Sequence, residues 1–564
     1  MATIDGLPPG LILIVGALLV PLLRGRLRTA WMLVLPVVGF AHLLMLDPGV
    51  HAAVELFGYT LIQSRVDRLA LVFGYIFYIA ALLGVIYALH VEDKVQQVAA
   101  LVYAGAAIGA VFAGDLITLF VYWELTAIAS VFLILARGTR RAYRASVRYL
   151  LVQIGSGVLL LAGIVLHQAQ TGSIAFEHIG LGGPGANLIF IAFGIKCAFP
   201  LLHNWLQDAY PEATVTGTVF LSAFTTKLAV YALARSFAGT EMLVWIGALM
   251  TAFPIFYAVI ENDLRRVLAY GLNIQLGFMV VGIGIGTELS LNGTAAHAFS
   301  HVLYKALLFM SMGAVLFRTG TCKGSELGGL YKSMPYTTAF CIVGAASISA
   351  PLFGGFISKS LILAAAAEGH YLITWLVLLF ASAGAFYFSG MKIPYFAFFA
   401  HDSGKRCEEA PRNMLWAMGI TAALCIGIGV YPDPLYAILP YQVNFEPYTT
   451  MHVVTQLQLL LFSALAFAVL MRTGIYPPEL RSTNLDSDWT YRHALPKLVC
   501  ALTAAVSRTT AQVGSAWAAF FSSSMSRLYR YHGPQGVLAR TWPTGSMALW
   551  VMILLLAYLV AYYL

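Results

Sequence analysis

Four lysines lie inside long apolar stretches of the chain: Lys196, Lys227, Lys305 and Lys359. A lysine at the bilayer centre costs about 3 kcal/mol on insertion scales, so four of them need about 10 kcal/mol from other contacts unless each faces a hydrated or paired interior. Burial favours the neutral form of a lysine, which lets it exchange a proton near neutral pH. The four buried lysines therefore favour a role in proton exchange. The structural alternative is that they only bridge neighbouring helices. A fifth, Lys392, lies near a predicted helix end and can extend its amine to the membrane surface.

One acidic residue, Glu124 in VYWELTAIAS, lies well inside an apolar stretch. An unpaired buried carboxylate would neutralise itself, whereas a nearby lysine would keep it charged. We therefore expect Glu124 to pair with Lys196. Such a pair has a closed state that holds both charges and an open state in which the lysine can give up its proton.

Two histidines and a lysine follow at four-residue intervals in HAFSHVLYKALLF: His297, His301 and Lys305. On a helix this spacing places them along one face, and histidine titrates near neutral pH, so the stack suits proton hopping. Two histidines four residues apart can also bind zinc, but H-E-x-x-H is absent and no acid lies nearby. A hydrogen-bonded pair of core histidines is the other alternative. We predict no metal site.

Two of the apolar stretches are interrupted by proline. Pro200 follows Lys196, with His203 beyond it, and Pro351 precedes Lys359. Proline removes a helix hydrogen bond, and unwound backbone at membrane depth survives only inside protein or beside a water-filled cavity. Broken helices in corresponding positions of two repeats indicate a transport site, so we expect two five-helix units.

The composition excludes a water-soluble domain. The chain has 564 residues, 60% of them hydrophobic and 10% charged, against roughly 25% charged residues in soluble proteins. Its net charge of +8 comes from basic residues in short loops, which orient a membrane protein and do not indicate nucleic acid binding. The six cysteines form no C-x-x-C pair, so we predict neither a disulfide framework nor a cysteine-bound metal.

A helix needs about 20 apolar residues to cross a bilayer. We predict an all-α polytopic membrane protein whose sixteen spans start near residues 8, 30, 69, 97, 116, 145, 186, 215, 242, 267, 295, 336, 371, 413, 453 and 547. Loops after odd-numbered spans, up to the thirteenth, hold seventeen lysines and arginines, and loops after even-numbered spans hold Arg65, Arg68 and Arg235. By the positive-inside rule the odd loops face the cytoplasm and both termini lie outside. The first span lacks the features of a cleaved signal, so we expect it to be retained.

The pattern divides the chain into six parts: 1–96 (spans 1–3), 97–240 and 241–400 (the two five-helix units, spans 4–8 and 9–13, with spans 7 and 12 broken), 401–472 (spans 14 and 15), 473–546 (a basic segment) and 547–564 (a final anchoring span). The basic segment contains no proline from Lys497 to Tyr531, enough for a helix of roughly 50 Å at 1.5 Å per residue. We predict an amphipathic helix along the cytoplasmic surface, with a seventeenth span that re-crosses as the alternative.

Five motifs resemble the antiporter-like subunit family, which comprises Mrp-type sodium/proton antiporters, especially their D-type component, and the proton-pumping membrane subunits of respiratory complex I and membrane-bound hydrogenases. The resemblance covers roughly residues 60–430 and is carried by YWEL at 122–125, KCAFPLLHNWLQDA at 196–209, SAFTTKLAVYAL at 222–233, HAFSHVLYKALLF at 297–309 and PLFGGFISKSLIL at 351–363. It implies that the two five-helix units are inverted repeats. It also implies a mid-membrane proton relay, whose members in order are Glu124, Lys196, Lys227, His297, His301, Lys305 and Lys359, with His203 as an additional candidate.

The chain departs from the family at WLQDAY, where the usual pattern is W-L-P-D-A-H, and in its C-terminal extension, whose layout is similar to the distal pumping subunit of complex I. The resemblance implies a proton-translocating subunit of a multisubunit Mrp-type antiporter, with H⁺ exchanged for Na⁺ and other membrane subunits as partners in a bacterial plasma membrane. The alternative is a proton-pumping arm of a complex I-like NADH:quinone oxidoreductase or a membrane-bound hydrogenase; a stand-alone solute transporter is the third. The sequence has no haem, iron–sulfur or nucleotide motif, so we expect no cofactor in this chain and any redox chemistry in its partners.

Overall fold

The computed structural model describes residues 6–56, 58–480 and 484–564, which are mostly helical. The helices are α1 (Pro9–Ala17), α2 (Gly25–Leu44), α3 (Arg68–Tyr87), α4 (Lys94–Phe112), α5 (Leu116–Leu135), α6 (Arg140–Thr171), α7 (Pro184–Lys196), α8 (Asn204–Ala209), α9 (Gly217–Ala223), α10 (Thr225–Ser236), α11 (Glu241–Ile260), α12 (Leu264–Ile285), α13 (Glu288–Thr319), α14 (Pro335–Ala346), α15 (Gly354–Glu368), α16 (Leu372–Ala385), α17 (Arg412–Val430), α18 (Asp433–Ile438), α19 (Thr450–Thr473), α20 (Leu495–His532) and α21 (Thr544–Tyr563). Two π-helical segments, Phe386–Lys392 and Tyr395–Phe399, follow α16.

The described residues contain thirteen helices that are long and apolar enough to cross a membrane, when the α9–α10 and α16 regions are each taken as one helix. The protein is therefore a multi-pass helical membrane protein, as predicted. The other three predicted spans correspond to shorter helices: α1, α7 and α14, of 9, 13 and 12 residues. Sixteen membrane crossings and inverted repeats stay predictions.

Several long helices begin at a side chain that caps them. Asp67, Asp93, Asp115 and Asp263 each accept a hydrogen bond from a backbone N–H in the first turn of α3, α4, α5 and α12. These carboxylates replace bonds that the first turn of a helix cannot make for itself. The long α13 ends at Gly320, whose φ of 74° is a left-handed conformation that glycine adopts without strain.

A β-hairpin between α2 and α3 was not predicted. Its strands, β1 (Gly49–Leu56) and β2 (Tyr59–Val66), pair antiparallel. It is held to the helices through Asp115, whose Oδ2 accepts from the backbone N–H of Ile62 at 2.7 Å. The predicted all-α description is therefore correct for the membrane spans but omits this hairpin.

Both predicted breaks are present. Residues 197–203 separate α7 from α8, and residues 347–353 separate α14 from α15. In each break the residue directly after the proline is a leucine with a left-handed backbone, Leu201 with a φ of 69° and Leu352 with a φ of 71°. A non-glycine residue in this conformation costs free energy. Both breaks contain such a leucine, and the first also contains Ala198, with a φ of 62°.

Contacts within the chain define two compact units, Met1–Asn484 and Leu485–Leu564. The centre of the first unit is formed by α12 and α13. In the most apolar 18-residue stretch of each helix, 100% and 94% of the residues are buried. The second unit contains α20 and α21. With 38 residues, α20 is about 57 Å long at 1.5 Å per residue, and it is not among the thirteen span candidates. The basic segment thus contains one long helix, and its amphipathic course along the membrane surface stays a prediction.

Candidate functional site

Lys196 is the last residue of α7, directly before the first break, and is fully buried. Its Nζ donates hydrogen bonds to the carbonyl oxygen of Trp123 at 2.5 Å and to Thr126 Oγ1 at 3.0 Å, both on α5. The same nitrogen lies 4.3 Å from the centroid of the Trp123 indole ring. Oxygen acceptors and an aromatic face both stabilise an ammonium group, so α5 holds this amine at the end of the broken helix.

Glu124 is half-buried on α5, next to these two partners of Lys196. Its Oε1 is buried, has no hydrogen-bond partner among the described residues, and lies against Gly157 of α6 so closely that a Cβ atom there would overlap it. In the described part of the chain, no lysine, arginine or histidine nitrogen lies within 4.0 Å of the Glu124 carboxylate. The charges of Glu124 and Lys196 nevertheless interact over a longer distance. The expected ion pair is therefore not formed in this arrangement: the amine of Lys196 is bound to Trp123 and Thr126 instead, and the two-state pair stays a prediction.

Lys227 lies just after the discontinuity between α9 and α10 and is fully buried. Its Nζ donates to the carbonyl oxygen of Ser222 at 2.6 Å, on the other side of that discontinuity. Its charge acts on the thiol of Cys197, the neighbour of Lys196, and on Lys305. Lys227 thus lies between the first broken helix and α13.

His297 is held from two sides. Its Nδ1 lies 2.9 Å from Ser358 Oγ and its Nε2 lies 3.0 Å from Gln275 Oε1. The Tyr304 hydroxyl donates to the same Gln275 oxygen at 3.2 Å. These contacts hold the imidazole between α12 and α15: the Gln275 amide oxygen is an acceptor only, whereas the Ser358 hydroxyl can both accept and donate a proton.

His301 lies one turn further along α13, with its ring stacked on His297 at a centroid distance of 5.9 Å. It is fully buried, yet neither ring nitrogen has a hydrogen-bond partner among the described residues. The charges of Lys227, Lys305 and Lys359 all act on this ring. His301 is therefore within electrostatic range of three of the four buried lysines of the predicted relay.

Lys305 lies beside Gly271 of α12. A Cβ atom at Gly271 would sit 2.5 Å from Lys305 Nζ and 3.0 Å from Ser389 Oγ. The missing side chain thus leaves room for both polar groups, which are no more than one water molecule apart. Ser389 Oγ is buried and has no hydrogen-bond partner in the described part of the chain.

Lys359 lies on α15, shortly after the second break, and is buried. Its Nζ donates to Ser349 Oγ, inside the break, at 2.9 Å and lies 5.1 Å from the centroid of the Phe278 ring. Ser349 Oγ in turn lies 3.4 Å from Ser382 Oγ. Each broken helix therefore places one lysine amine beside polar groups and an aromatic ring.

The additional candidate, His203, is buried at the start of α8, with its ring edge-on to Phe253 at 4.6 Å between centroids. Lys392 corrects the sequence analysis: it does not extend to the surface but is fully buried, with its Nζ 2.9 Å from Glu479 Oε1. The expectation was wrong because a distant segment of the chain supplies the counter-charge. The sequence around Lys392 contains no pattern that indicates its contact with Glu479.

Several other buried polar groups on the same helices lack a hydrogen-bond partner among the described residues: Gln153, Gln207, Thr226, Asn273 and Ser300. Buried polar groups are almost always hydrogen-bonded, to protein or to ordered water, and an unpaired one costs about 1–3 kcal/mol. Buried polar groups of this kind are satisfied by ordered water, so they indicate a hydrated interior. Sequence analysis missed them, together with Gln275, Ser358 and Ser389, because a lone polar residue in an apolar helix has no distinctive spacing. Across the described ranges, no three histidine, cysteine or acidic side chains come together as a metal site requires.

Comparison with known proteins places this site in a family. Residues 113–386 match the family described as NADH:quinone oxidoreductase/Mrp antiporter, transmembrane. The chain is 30% identical over 353 residues to the D component of the Na⁺/H⁺ antiporter of Alkalihalophilus pseudofirmus, an alignment that covers 58% of this chain and 71% of that relative. The chain belongs to this family. The matched region contains every residue of the predicted relay, from Glu124 to Lys359.

Two solved structures have the same fold. A chain of the membrane-bound sulfane sulfur reductase, an archaeal respiratory membrane complex, superposes with a TM-score of 0.71 at 22% identity, over 98% of this chain and 99% of that chain. A chain of the Mrp complex from Dietzia sp. DQ12-45-1b superposes with a TM-score of 0.67 at 18% identity, over 82% and 99%. The chain is therefore an Mrp- and complex I-type antiporter-like membrane subunit.

Proposed function

We propose that this chain is the proton-translocating subunit of a multisubunit Mrp-type cation/proton antiporter and that protons move along the axis from Glu124 to Lys359. The observation that carries the proposal is the run of buried amines and imidazoles across the centre of the membrane domain, with His301 buried and without a partner for either ring nitrogen among the described residues. Buried ionisable groups inside a membrane protein are costly and mark ion pathways.

The first half of the axis supports a switch between two arrangements. Lys196 Nζ has acceptors on α5 that do not include the Glu124 carboxylate, while the two charges still interact. Closing the pair would hold the proton on the amine, and opening it would release the proton toward Lys227. An ion pair with two arrangements is the kind of bistable element that can gate a relay.

Sodium as the exchanged cation is supported by the name of the Na⁺/H⁺ antiporter component to which the chain is similar. Partner membrane subunits are supported by the two solved structures, whose chains belong to membrane complexes. The subunit would then work within an assembly in a plasma membrane, and the cofactor-free relay would need only protons and water in this chain.

A second candidate is the membrane arm of a redox-driven pump. The observation that favours it is the coverage of the superposition: the respiratory complex chain matches 98% of this chain, the Mrp chain 82%. The respiratory match thus extends over nearly all of the C-terminal extension. In this case partner subunits would supply the driving force, while the relay residues would be unchanged.

Purification of the intact complex through a tag on this chain tests both candidates. The complex is reconstituted in liposomes with pyranine inside, and a Na⁺ gradient is imposed. Sodium-driven acidification or alkalinisation of the lumen, together with co-purified antiporter subunits, is the expected result. Co-purified flavin or iron with no response to Na⁺ would favour the redox pump, and no proton movement under either a Na⁺ gradient or a K⁺ diffusion potential would contradict the proposal.

A further inference from the structure

Glu479 reaches from the protein surface into the membrane domain. It follows α19 in a short segment whose next residue, Leu480, is 58% exposed, whereas the Glu479 side chain is only 6% exposed. The Tyr476 hydroxyl donates to its Oε1 at 3.3 Å. Its other oxygen, Oε2, is buried and has no hydrogen-bond partner among the described residues. The carboxylate is therefore nearly buried, one residue away from an exposed position of the chain.

Lys392 is the group that this carboxylate meets, at 2.9 Å from Oε1. Its amine also donates to the carbonyl oxygens of Val259 at 2.6 Å and Glu261 at 2.7 Å, at the end of α11. The carbonyl oxygen of Ala258 lies 3.2 Å away as well, so the three protons of the ammonium group meet four oxygen acceptors. Lys392 ends a seven-residue π-helical segment, an irregularity that is frequent at functional sites.

The same π-helical segment carries Ser389, one turn before Lys392, and the side chain of Ser389 leads to the central axis. Its Oγ and Lys305 Nζ both border the empty space at Gly271. Ser389 Oγ is buried and unpartnered among the described residues, so a bound water or the Lys305 amine is its available partner. Ser389 and Lys392 are three residues apart on this segment, and no hydrogen bond joins their side chains. The segment therefore has the Glu479–Lys392 pair at one end and Ser389 beside Lys305 at the other.

We propose that Glu479 and Lys392 form a proton uptake site that feeds Lys305 through Ser389, which rests on the proposed proton-translocating function. In the resting pair Lys392 is an ammonium and Glu479 a carboxylate. Through a bridging water, Lys392 gives a proton to the Ser389 hydroxyl, which passes its own proton to the neutral amine of Lys305. Glu479 takes a proton from surface water and returns it to Lys392, so that one proton has moved from water to Lys305 and the pair is restored.

The side of the membrane follows from the predicted orientation. Glu479, Lys392 and the end of α11 at Glu261 belong to loops and helix ends that the positive-inside pattern assigns to the cytoplasm. Burial raises the pKa of the Glu479 carboxyl, against the opposing charge of Lys392; Tyr476 and Glu261 are the other titratable groups that face it. A carboxyl that is easier to protonate than usual suits a group that must alternate between its two forms.

The alternative is that Lys392 only caps the C-terminus of α11 and that Glu479 only neutralises it. Two substitutions separate the interpretations. Glu479→Gln keeps an oxygen acceptor for Lys392 but cannot carry a proton, and Ser389→Ala removes a hydroxyl that has no partner among the described residues. A structural role predicts no effect on proton flux for Ser389→Ala, because no hydrogen bond within that part of the protein is lost.

The test measures proton flux into proteoliposomes that contain the complete complex, with pyranine inside and a valinomycin-set K⁺ potential as the driving force. Glu408→Gln and Thr374→Val are matched controls: Glu408 is a carboxylate with a side chain 87% exposed, and Thr374 carries another buried hydroxyl, on α16, that is unpartnered among the described residues. We expect flux to fall about 100-fold in Glu479→Gln and about tenfold in Ser389→Ala, with both controls near wild type and all four complexes intact on native gels.

Wild-type flux in Ser389→Ala would overturn the relay, whether Glu479→Gln transports normally or falls apart, because a structural pair explains both of those results. Loss of flux in Thr374→Val equal to that in Ser389→Ala would also overturn it, since the effect would then not belong to this path. A wild-type complex that moves no protons would instead contradict the proposed function, and this inference with it.

Discussion

Replacing Gly157 by alanine perturbs Glu124 without altering any ionisable group. A Cβ atom at this position would overlap Glu124 Oε1, so the carboxylate must retreat by about 2 Å to reach ordinary van der Waals contact. What must move is the end of a flexible side chain, so α6 can keep its place. A glycine-to-alanine change inside a helix stabilises by about 1 kcal/mol, and an off-rotamer side chain costs about 1 kcal/mol. The free energy of unfolding should therefore change by less than about 1 kcal/mol.

Transport should respond much more strongly, because a misplacement of about 1 Å at a reacting group can reduce rates about 100-fold. The assay is proton flux into proteoliposomes with pyranine inside, together with the melting temperature of the purified complex. Gly155→Ala is the matched control, two residues away on α6, where a Cβ atom meets nothing within 4 Å. We expect flux to fall about 100-fold in Gly157→Ala and to stay at the wild-type level in Gly155→Ala. Equal flux in the two variants would refute the argument that the position of Glu124 matters.

Three further predictions concern the axis and the extension. Glu124→Ala and Lys196→Ala should each abolish proton-coupled activity in a complex that still inserts into the membrane, and normal flux in either variant would remove the pair from the mechanism. Lys359→Glu should retain more flux than Lys359→Ala because a carboxylate still exchanges protons, and wild-type rates in both would make Lys359 structural. Truncation after Asn484 should loosen the complex on native gels while leaving the first unit folded and Glu479 in place; an intact complex that lacks only proton flux would show that the extension acts in transport.

The positions of the buried charges could be predicted from the sequence because their signals are local. The four-residue spacing of His297, His301 and Lys305 is visible in one helix, and all three are buried on α13, with the two histidine rings stacked. The two breaks were predicted from prolines next to buried lysines, Pro200 and Pro351; proline alone would not have been enough, since Pro36 and Pro254 lie inside unbroken helices. Membrane helices must satisfy their backbone within the segment, so apolar length alone predicts most of the spans.

Contacts between distant segments could not be predicted. Nothing near Lys392 indicates that Glu479 will reach it from the segment after α19, and the sequence analysis therefore assigned its amine to the membrane surface. The separation of Glu124 from Lys196 depends on Trp123 and Thr126 competing for the Lys196 amine, a balance set by side-chain geometry. Gly157 provides the space for the carboxylate, and a glycine in a membrane helix carries no sequence signal that distinguishes this role from close packing.

The most direct test of the relay is the proton flux of the complete complex with His301→Phe in this chain. A phenyl ring nearly matches imidazole in size and can stack on His297 in the same place, and no protein hydrogen bond is lost among the described residues because neither His301 nitrogen has a partner there. The complex should therefore remain assembled. The relay from Glu124 to Lys359 should be interrupted, because phenylalanine at position 301 cannot carry a proton. The account predicts that flux into pyranine-loaded proteoliposomes under a K⁺ diffusion potential falls to the leak of protein-free vesicles. Flux at the wild-type rate in an intact His301→Phe complex would contradict the proposal that protons travel along this axis.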